Sequence, residues 1–418
     1  MELSEHLFRR EHGRLVAALT RIFGVHNLAL AEDVVQDAFC RALEVWKVRG
    51  IPDNPAAWLM TVAKNRALDL VRKERTARSF APELSRVLAS EWTLAPAVEE
   101  AFAGQTIRDE QLRMMCSCCD PRVTEDVQVA LVLNILCGFG ASEVASAFLV
   151  SRDAMEKRLS RGKKVLAASK RLFDLSDAAF GERLTALRRA LYLLFNEGYH
   201  GASAEAAVRA DLCSEAMRLA TLLLEVPQTS GPETRALAAL MHLHAARLPA
   251  RLDAAGDLHS WLDQDRSRWD GHLLERGLAL LDEAATGPVL SAYHLEGAIA
   301  AVHASARRIE ETNWDAIVDL YDRLMAMAPS PIVALNRAIA IGQRDGPERG
   351  LECLRTIEDA ARLRGYPFYP AAIGELELRR GNIEAARAHL STAAALARND
   401  VERRFLEKRV RECAADST

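Results

Sequence analysis

From about residue 173 to its end, the sequence is an almost unbroken run of Ala/Leu-rich stretches with apolar residues at helical spacing, punctuated by Pro and Gly. No segment shows the apolar–polar alternation of a half-buried strand. Amphipathic helices bury their apolar stripes only against other elements. This pattern therefore commits the longer part of the chain to helix packed on helix. Aromatic residues are only 6% of the 418 residues, which also disfavours a β-rich architecture.

Part of this region repeats. In PFYPAAIGELELRRGNIEAARAHLSTAAALARN, the residues Gly374, Gly381, Ala386, Leu390 and Ala393 have the offsets of a tetratricopeptide-type helical hairpin, with small residues where two helices cross closely. One repeat earlier, Pro329 marks a repeat end, Gly346 a hairpin turn and Leu351 the second helix. Gly346 and Gly381 are 35 residues apart, close to the ~34-residue period of such repeats. Upstream of about residue 310 the period is less clear. Stacked hairpins usually serve as a scaffold for a partner, so an unidentified ligand or protein is expected on this region.

The remaining composition sets the class. The chain is 50% hydrophobic and 27% charged, ordinary for a soluble globular protein. The N-terminus, MELSEHLFRREHGRL, lacks the apolar stretch of a signal peptide. No run approaches the ~18 apolar residues of a membrane span. A cytoplasmic location, no membrane contact and eight reduced cysteines are expected. Net charge is −4, so the whole chain is no basic nucleic-acid coat. Two stretches are nevertheless locally basic: Lys64 to Arg78, and Arg152 to Arg171. Two solvated helix faces would explain them; so would phosphate contacts at two places.

Both basic stretches sit in helical context. AEDVVQDAFCRALEVW has an apolar face through Val34/Val35, Ala38/Phe39, Ala42/Leu43 and Trp46, and an acidic face through Asp33, Gln36, Asp37 and Glu44. In IPDNPAAWLMTVAKNRALDLVRKERTAR, Asp53-Asn54-Pro55 reads as a helix start, and Lys64, Asn65 and Arg72 stand opposite the packed stripe. Further on, TEDVQVALVLNILCGF reads as a helix ended by Gly138 and Gly140. SEVASAFL is a short helix capped by Ser142, and RDAMEKRLSRGKKVLAASK follows after a brief turn. That order is a helix-turn-helix. In its last helix Met155, Leu159, Gly162 and Leu166 share the inward face, and Asp153, Lys157, Arg161 and Lys164 the outward one.

Together these motifs resemble a known family. AEDVVQDAFCRAL followed by NPAAWLMTVAKNRALDLVRKERT resembles region 2 of extracytoplasmic-function sigma factors, and EVASAFLVSRDAMEKRLSRGKKVL resembles their region 4. RRALYLLFNEGYHGAS, LDQDRSRWD and PSPIVALNRAIA resemble the subgroup with a tetratricopeptide-like C-terminal extension, as does CSCCDP. The resemblance implies an all-α protein: sigma region 2 at 1–78, a linker at 79–110, sigma region 4 at 111–172 and the helical extension at 173–418. It implies a sigma factor, not an enzyme, that binds core RNA polymerase, reads the minus-ten and minus-thirty-five elements of double-stranded promoter DNA and starts transcription. The extension would regulate activity in cis. Glu32, Asp33, Gln36 and Asp37 would dock on the clamp coiled coil of the largest polymerase subunit. Asn54, Trp58, Lys64, Asn65, Asp69, Arg72 and Lys73 would engage the minus-ten element. Arg152, Asp153, Glu156, Lys157, Arg158, Arg161 and Lys164 would serve the minus-thirty-five element. The alternative is a helix-turn-helix regulator with a repeat-based sensor that is no sigma factor; it has no need of the region 2 motifs. A pure scaffold would bind no promoter DNA.

Three further stretches carry competing readings. Cys116, Cys118 and Cys119 could begin a metal or redox site. However, a C-x-C-C run lacks the spaced second pair that tetrahedral zinc wants, and buried small hydrophobes account for it. Neither a metal nor a cofactor is expected. Glu197, Tyr199 and His200 could do acid–base work, or simply mark a helix end and turn. LDQDRSRWDG (262–271) is either a self-paired helix start or a contact surface.

Overall fold

The computed structural model describes residues 2–75, 104–148, 150–169, 180–200, 208–253, 256–260 and 263–415. The chain divides into two units, 1–193 and 194–418. Among the described residues the protein is all-α; one isolated bridge, Leu252 to Leu258, is its only strand-like pairing.

The first unit opens with α1 (Glu2–Phe23), α2 (Leu28–Arg49) and α3 (Pro55–Arg75). Leu15, Val16, Leu19 and Phe23 of α1, Val34, Val35 and Ala38 of α2, and Leu59, Ala63 and Ala67 of α3 are buried together at helical spacing. At the rim, Phe8 stacks on Trp46 at 5.7 Å and Trp46 packs on Trp58 at 5.4 Å.

Cys116 and Cys118 lie on α4 (Gly104–Cys118), which packs against α1, and Cys119 follows in the turn. This helix begins inside the span read as linker. Then come α5 (Glu125–Leu131), a π turn (Val132–Leu136), α6 (Ala141–Ala147) and α7 (Arg152–Ala167). The sequence suggests one helix over the α5 region, but the structure inserts the π turn. Gly13 of α1 explains how the two segments meet: a Cβ there would lie 2.2 Å from the Leu136 carbonyl oxygen. Only a residue without Cβ lets α1 approach the π turn this closely. Ser151 caps α7, accepting from the Ala154 amide at 3.3 Å. Met155, Leu159, Gly162 and Leu166 are all buried, as the helical spacing requires.

The region 173–179 lies outside the described residues, and α8 (Phe180–Tyr199) follows. In the second unit, α9 (Ala210–Glu225), α10 (Pro232–Ala245), α11 (Gly271–Ala284), α12 (Ala292–Ser305) and α13 (Trp314–Met327) pack on their neighbours in turn. After them come α14 (Pro331–Arg344), α15 (Pro347–Arg355), α16 (Phe368–Arg379), α17 (Ile383–Ala395) and α18 (Asp400–Ala415). The hairpins α14–α15 and α16–α17 turn at Gly346 and Gly381, both left-handed, at φ 96° and 82°. Gly374 lets α16 cross α17, since a Cβ there would meet Leu390 at 2.8 Å. The same device works upstream where the sequence period fades: Gly277 of α11 presses on Leu243 of α10.

Candidate nucleic-acid interface

α7 follows α6 across a short turn and presents one continuous polar face. Arg152, Asp153, Glu156, Lys157, Arg161 and Lys164 are exposed, and Arg158 is half-buried. Arg152 donates to Glu156 at 2.7 Å. That pair stiffens the first turn but occupies two groups expected to meet DNA. Gly162 seats the opposite face: a Cβ there would come within 2.8 Å of Val127 and 3.0 Å of Leu131. The close approach to α5 fixes the roll of α7 and so the direction of its polar face.

At the start of α3, Asn54 caps the helix, accepting from the Ala57 amide at 3.0 Å. Trp58 is half-buried against Trp46, so its ring belongs in part to the core rim. Lys64 is half-buried, and Asn65 and Asp69 are exposed. The side chains of Arg72 and Lys73 lie outside the described residues.

Of the acidic face of α2, Asp33, Gln36 and Asp37 are exposed and Glu32 is half-buried. Two of the four are engaged within the chain. Asp37 accepts from Arg66 of α3 at 2.8 Å. Glu32 accepts from Lys163 of α7 at 2.6 and 2.9 Å. Sequence reasoning missed Lys163 as a partner for α2, because nothing local connects positions 131 residues apart. Lys163 also lines a cleft of about 510 Å³, together with His26, Leu28, Asn134, Glu156 and Lys164 among others. Two of the residues expected to read DNA, Glu156 and Lys164, thus face this cleft.

The cysteines form part of the packing beneath α7. Cys116, Cys118 and Cys119 are buried. Burial pushes the Cys116 thiol up to about 12 and raises the other two well above the ordinary thiol value. Such thiols stay protonated and poorly nucleophilic. The turn after them is held by Asp120, which accepts from the Arg122 amide at 2.9 Å and from its guanidinium at 2.9 and 2.8 Å. Arg122 reaches on to Ser169, just beyond α7, at 2.5 Å. No group of three His, Cys, Asp or Glu side chains among the described residues is placed to hold a metal ion. No helix among them is long and apolar enough to cross a membrane.

Residues 7–77 match the sigma-70 region 2 family. SigX, an extracytoplasmic-function RNA polymerase sigma factor of Bacillus subtilis, is 24% identical over 138 residues, covering 32% of this chain and 68% of the relative. The RNA polymerase sigma factor CarQ of Myxococcus xanthus is 31% identical over 161 residues, covering 38% of this chain and 83% of the relative. The chain belongs to the extracytoplasmic-function RNA polymerase sigma factors. This sigma factor carries a C-terminal extension, of which residues 183–285 match a family of unknown function, DUF6596. An uncharacterized protein of Rhizobium meliloti is 39% identical over 404 residues, covering 96% of this chain and 93% of the relative. No solved structure matches the chain. As a sigma factor, it works with core RNA polymerase at promoter DNA to initiate transcription.

Proposed function

We propose that this sigma factor reads the minus-thirty-five element with the polar face of α7 and the minus-ten element with the start and outer face of α3. The acidic face of α2 would dock on the clamp coiled coil of the largest polymerase subunit. The observation that carries this is the seating of α7 as the second helix of a helix-turn-helix: six charged residues are exposed on one side and four apolar or small residues buried on the other. Arg and Lys so displayed reach base edges and phosphates in a major groove. On α3 the capped Asn54 end leads into Trp58, and Asn65 and Asp69 are exposed further along the helix. A surface of this kind can hold an extruded base and offset the few kcal/mol of unstacking.

The closed arrangement of residues 1–193 has a consequence for this reading. The two promoter elements are centred roughly 25 base pairs apart, about 85 Å at 3.4 Å per step. A folded unit of this length has a radius of gyration of about 16 Å. With Glu32 of α2 held on Lys163 of α7 at 2.6 Å, α7 and α3, which packs on α2, cannot serve both elements at once. The two regions therefore separate when polymerase and promoter are engaged, and Glu32 exchanges Lys163 for a basic partner on the polymerase.

In vitro transcription with core polymerase, on the promoter upstream of the sigma factor's own gene, tests the reading. A run-off product and footprints over both elements are expected; no product on any candidate promoter would sink it. The extension is proposed to regulate activity in cis. Truncation after Leu172 should change the run-off yield severalfold, and an unchanged yield would argue against such a role.

A further inference from the structure

The second unit contains a cluster of cationic and aromatic side chains that promoter recognition leaves unused. Tyr199 ends α8. His244 lies in the last turn of α10, and Arg247 and Arg251 follow it. Arg266 and Trp269 lie in and after the short 3₁₀ turn Arg266–Arg268 that precedes α11. The Arg251 guanidinium stands over the Tyr199 ring at 4.0 Å, and His244 is 5.1 Å from that ring. Arg247 and Arg266 both stand over Trp269, at 5.3 and 5.1 Å.

Three guanidiniums so close need an explanation. Arg266 has a structural one: it donates to the carbonyls of His303 and Ala306 at the end of α12, at 2.8 and 2.5 Å, where the helix dipole is negative. Arg247 donates only sideways, from Nε to the Gln264 amide oxygen at 3.2 Å. No carboxylate forms an ion pair with Arg247, Arg251 or Arg266 among the described residues. Glu310 and Glu311 act on Arg266 only through space, and Glu311 is paired with Arg308 at 3.0 Å. Cation–π contacts return only ~1–2 kcal/mol each and do not neutralise charge.

Four polar atoms here are buried with no hydrogen-bond partner among the described residues: Tyr199 Oη, His244 Nδ1, Arg251 Nε and Trp269 Nε1. Tyr199 is 3% exposed and Trp269 9%. Unpaired buried polar atoms are rare and costly in native proteins, and four in one cluster mark a place built for something else. Burial first, then the charges of Arg247 and Arg251, hold His244 down to about 3, so its ring stays neutral within the cluster. Three of the four orphans are obligate or ready donors, so the missing partner is rich in acceptors.

We propose that this cluster is a binding site for a small oxyanion, a carboxylate- or phosphate-bearing metabolite, held by the Arg247 and Arg251 guanidiniums and the Tyr199 and Trp269 donors. The burial of these atoms favours a small molecule over the surface of a partner protein. Guanidinium forks match both carboxylate and phosphate, so the experiment separates the two. The inference rests on the geometry of the second unit alone and does not depend on how the sigma factor reads its promoter.

The test titrates the full-length protein with inorganic phosphate and, separately, with citrate, at ionic strength matched by sodium chloride, and follows thermal unfolding and calorimetric heat. A saturable rise in unfolding temperature with one of the two anions is expected. Arg251→Gln and Tyr199→Phe should each weaken it about tenfold, the loss of one hydrogen bond to a charged group. Arg349→Gln, which breaks an exposed ion pair elsewhere in the unit, should leave it unchanged. If Arg251→Gln does not fold, Tyr199→Phe, which removes one hydroxyl and keeps the ring, decides alone. No saturable response to either anion overturns the proposal, as does an equal response in wild type and Tyr199→Phe.

Discussion

Gly162 shows how one missing Cβ can position a whole recognition surface. A methyl group there would collide with Val127 and Leu131 at 2.8 and 3.0 Å, and both side chains are buried. Gly162→Ala should lower stability by about 1–3 kcal/mol despite the better helix propensity of Ala, read by denaturant unfolding. An unchanged midpoint would mean α5 can yield. Asp120 acts differently. Its hydrogen bonds to the Arg122 side chain hold the carboxyl below its ordinary value. A carboxyl depressed in the folded state stabilises it fully above the ordinary carboxylate value near ~3.9, and that contribution is lost as pH falls through the depressed value. Asp120→Asn should therefore cost about 1–2 kcal/mol at neutral pH, and the gap to wild type should shrink in acid. A gap that holds at every pH would mean the charge is not what matters. The three cysteines next to Asp120 illustrate the limit of composition: their spacing suggests chemistry, while their burial makes them packing.

α7 is the element on which the promoter reading turns. Its inward stripe was legible because a helix repeats every 3.6 residues and one face must be apolar. Arg161 lies mid-helix on the exposed face, with no ion pair to another described residue. Arg161→Ala should weaken binding to the minus-thirty-five element by about 1–3 kcal/mol if it pairs with a base edge. Gel-shift assays on the cognate and mutated elements would show it; equal losses on both would make Arg161 a phosphate contact instead. α3 was legible as a capped helix from Asp53-Asn54-Pro55, and the Asn54 cap at 3.0 Å is the mechanism. The polar run 262–271 contains the helix start that one of its readings expected. Asp265 and Asp270 cap the 3₁₀ turn and α11, accepting at 2.9 and 3.0 Å, while Arg266 turns away to the end of α12.

At the scale of the whole molecule, the Glu32–Lys163 pair couples α2, proposed to dock on polymerase, to α7, proposed to face the promoter, within residues 1–193. Its side chains are 22% and 30% exposed, so its net worth is modest, about 1 kcal/mol after solvent screening. Lys163→Gln should release Glu32 and strengthen binding to core polymerase in the absence of DNA by about threefold to fivefold. Binding that is unchanged or weaker would show that the pair does not compete with polymerase.

The sequence by itself determined the all-α class, the order of region 2, helix-turn-helix and extension, and the two glycine turns 35 residues apart. The all-α class, the helix-turn-helix and the glycine turns follow from local periodicity, capping and turn chemistry, which act over a few residues, while region 2 and the extension rest on the resemblance of their motifs to a known family. Only the tertiary structure decided which expected functional groups are already engaged. Lys163 meets Glu32 across 131 residues, and Tyr199 comes to lie under Arg251. It also decided that α1 presses a π turn through Gly13, and that Tyr199 Oη, His244 Nδ1, Arg251 Nε and Trp269 Nε1 are buried in one cluster with no hydrogen-bond partner among the described residues. Contacts of this kind depend on how helices cross rather than on how they repeat. No window of the sequence contains both of their sides.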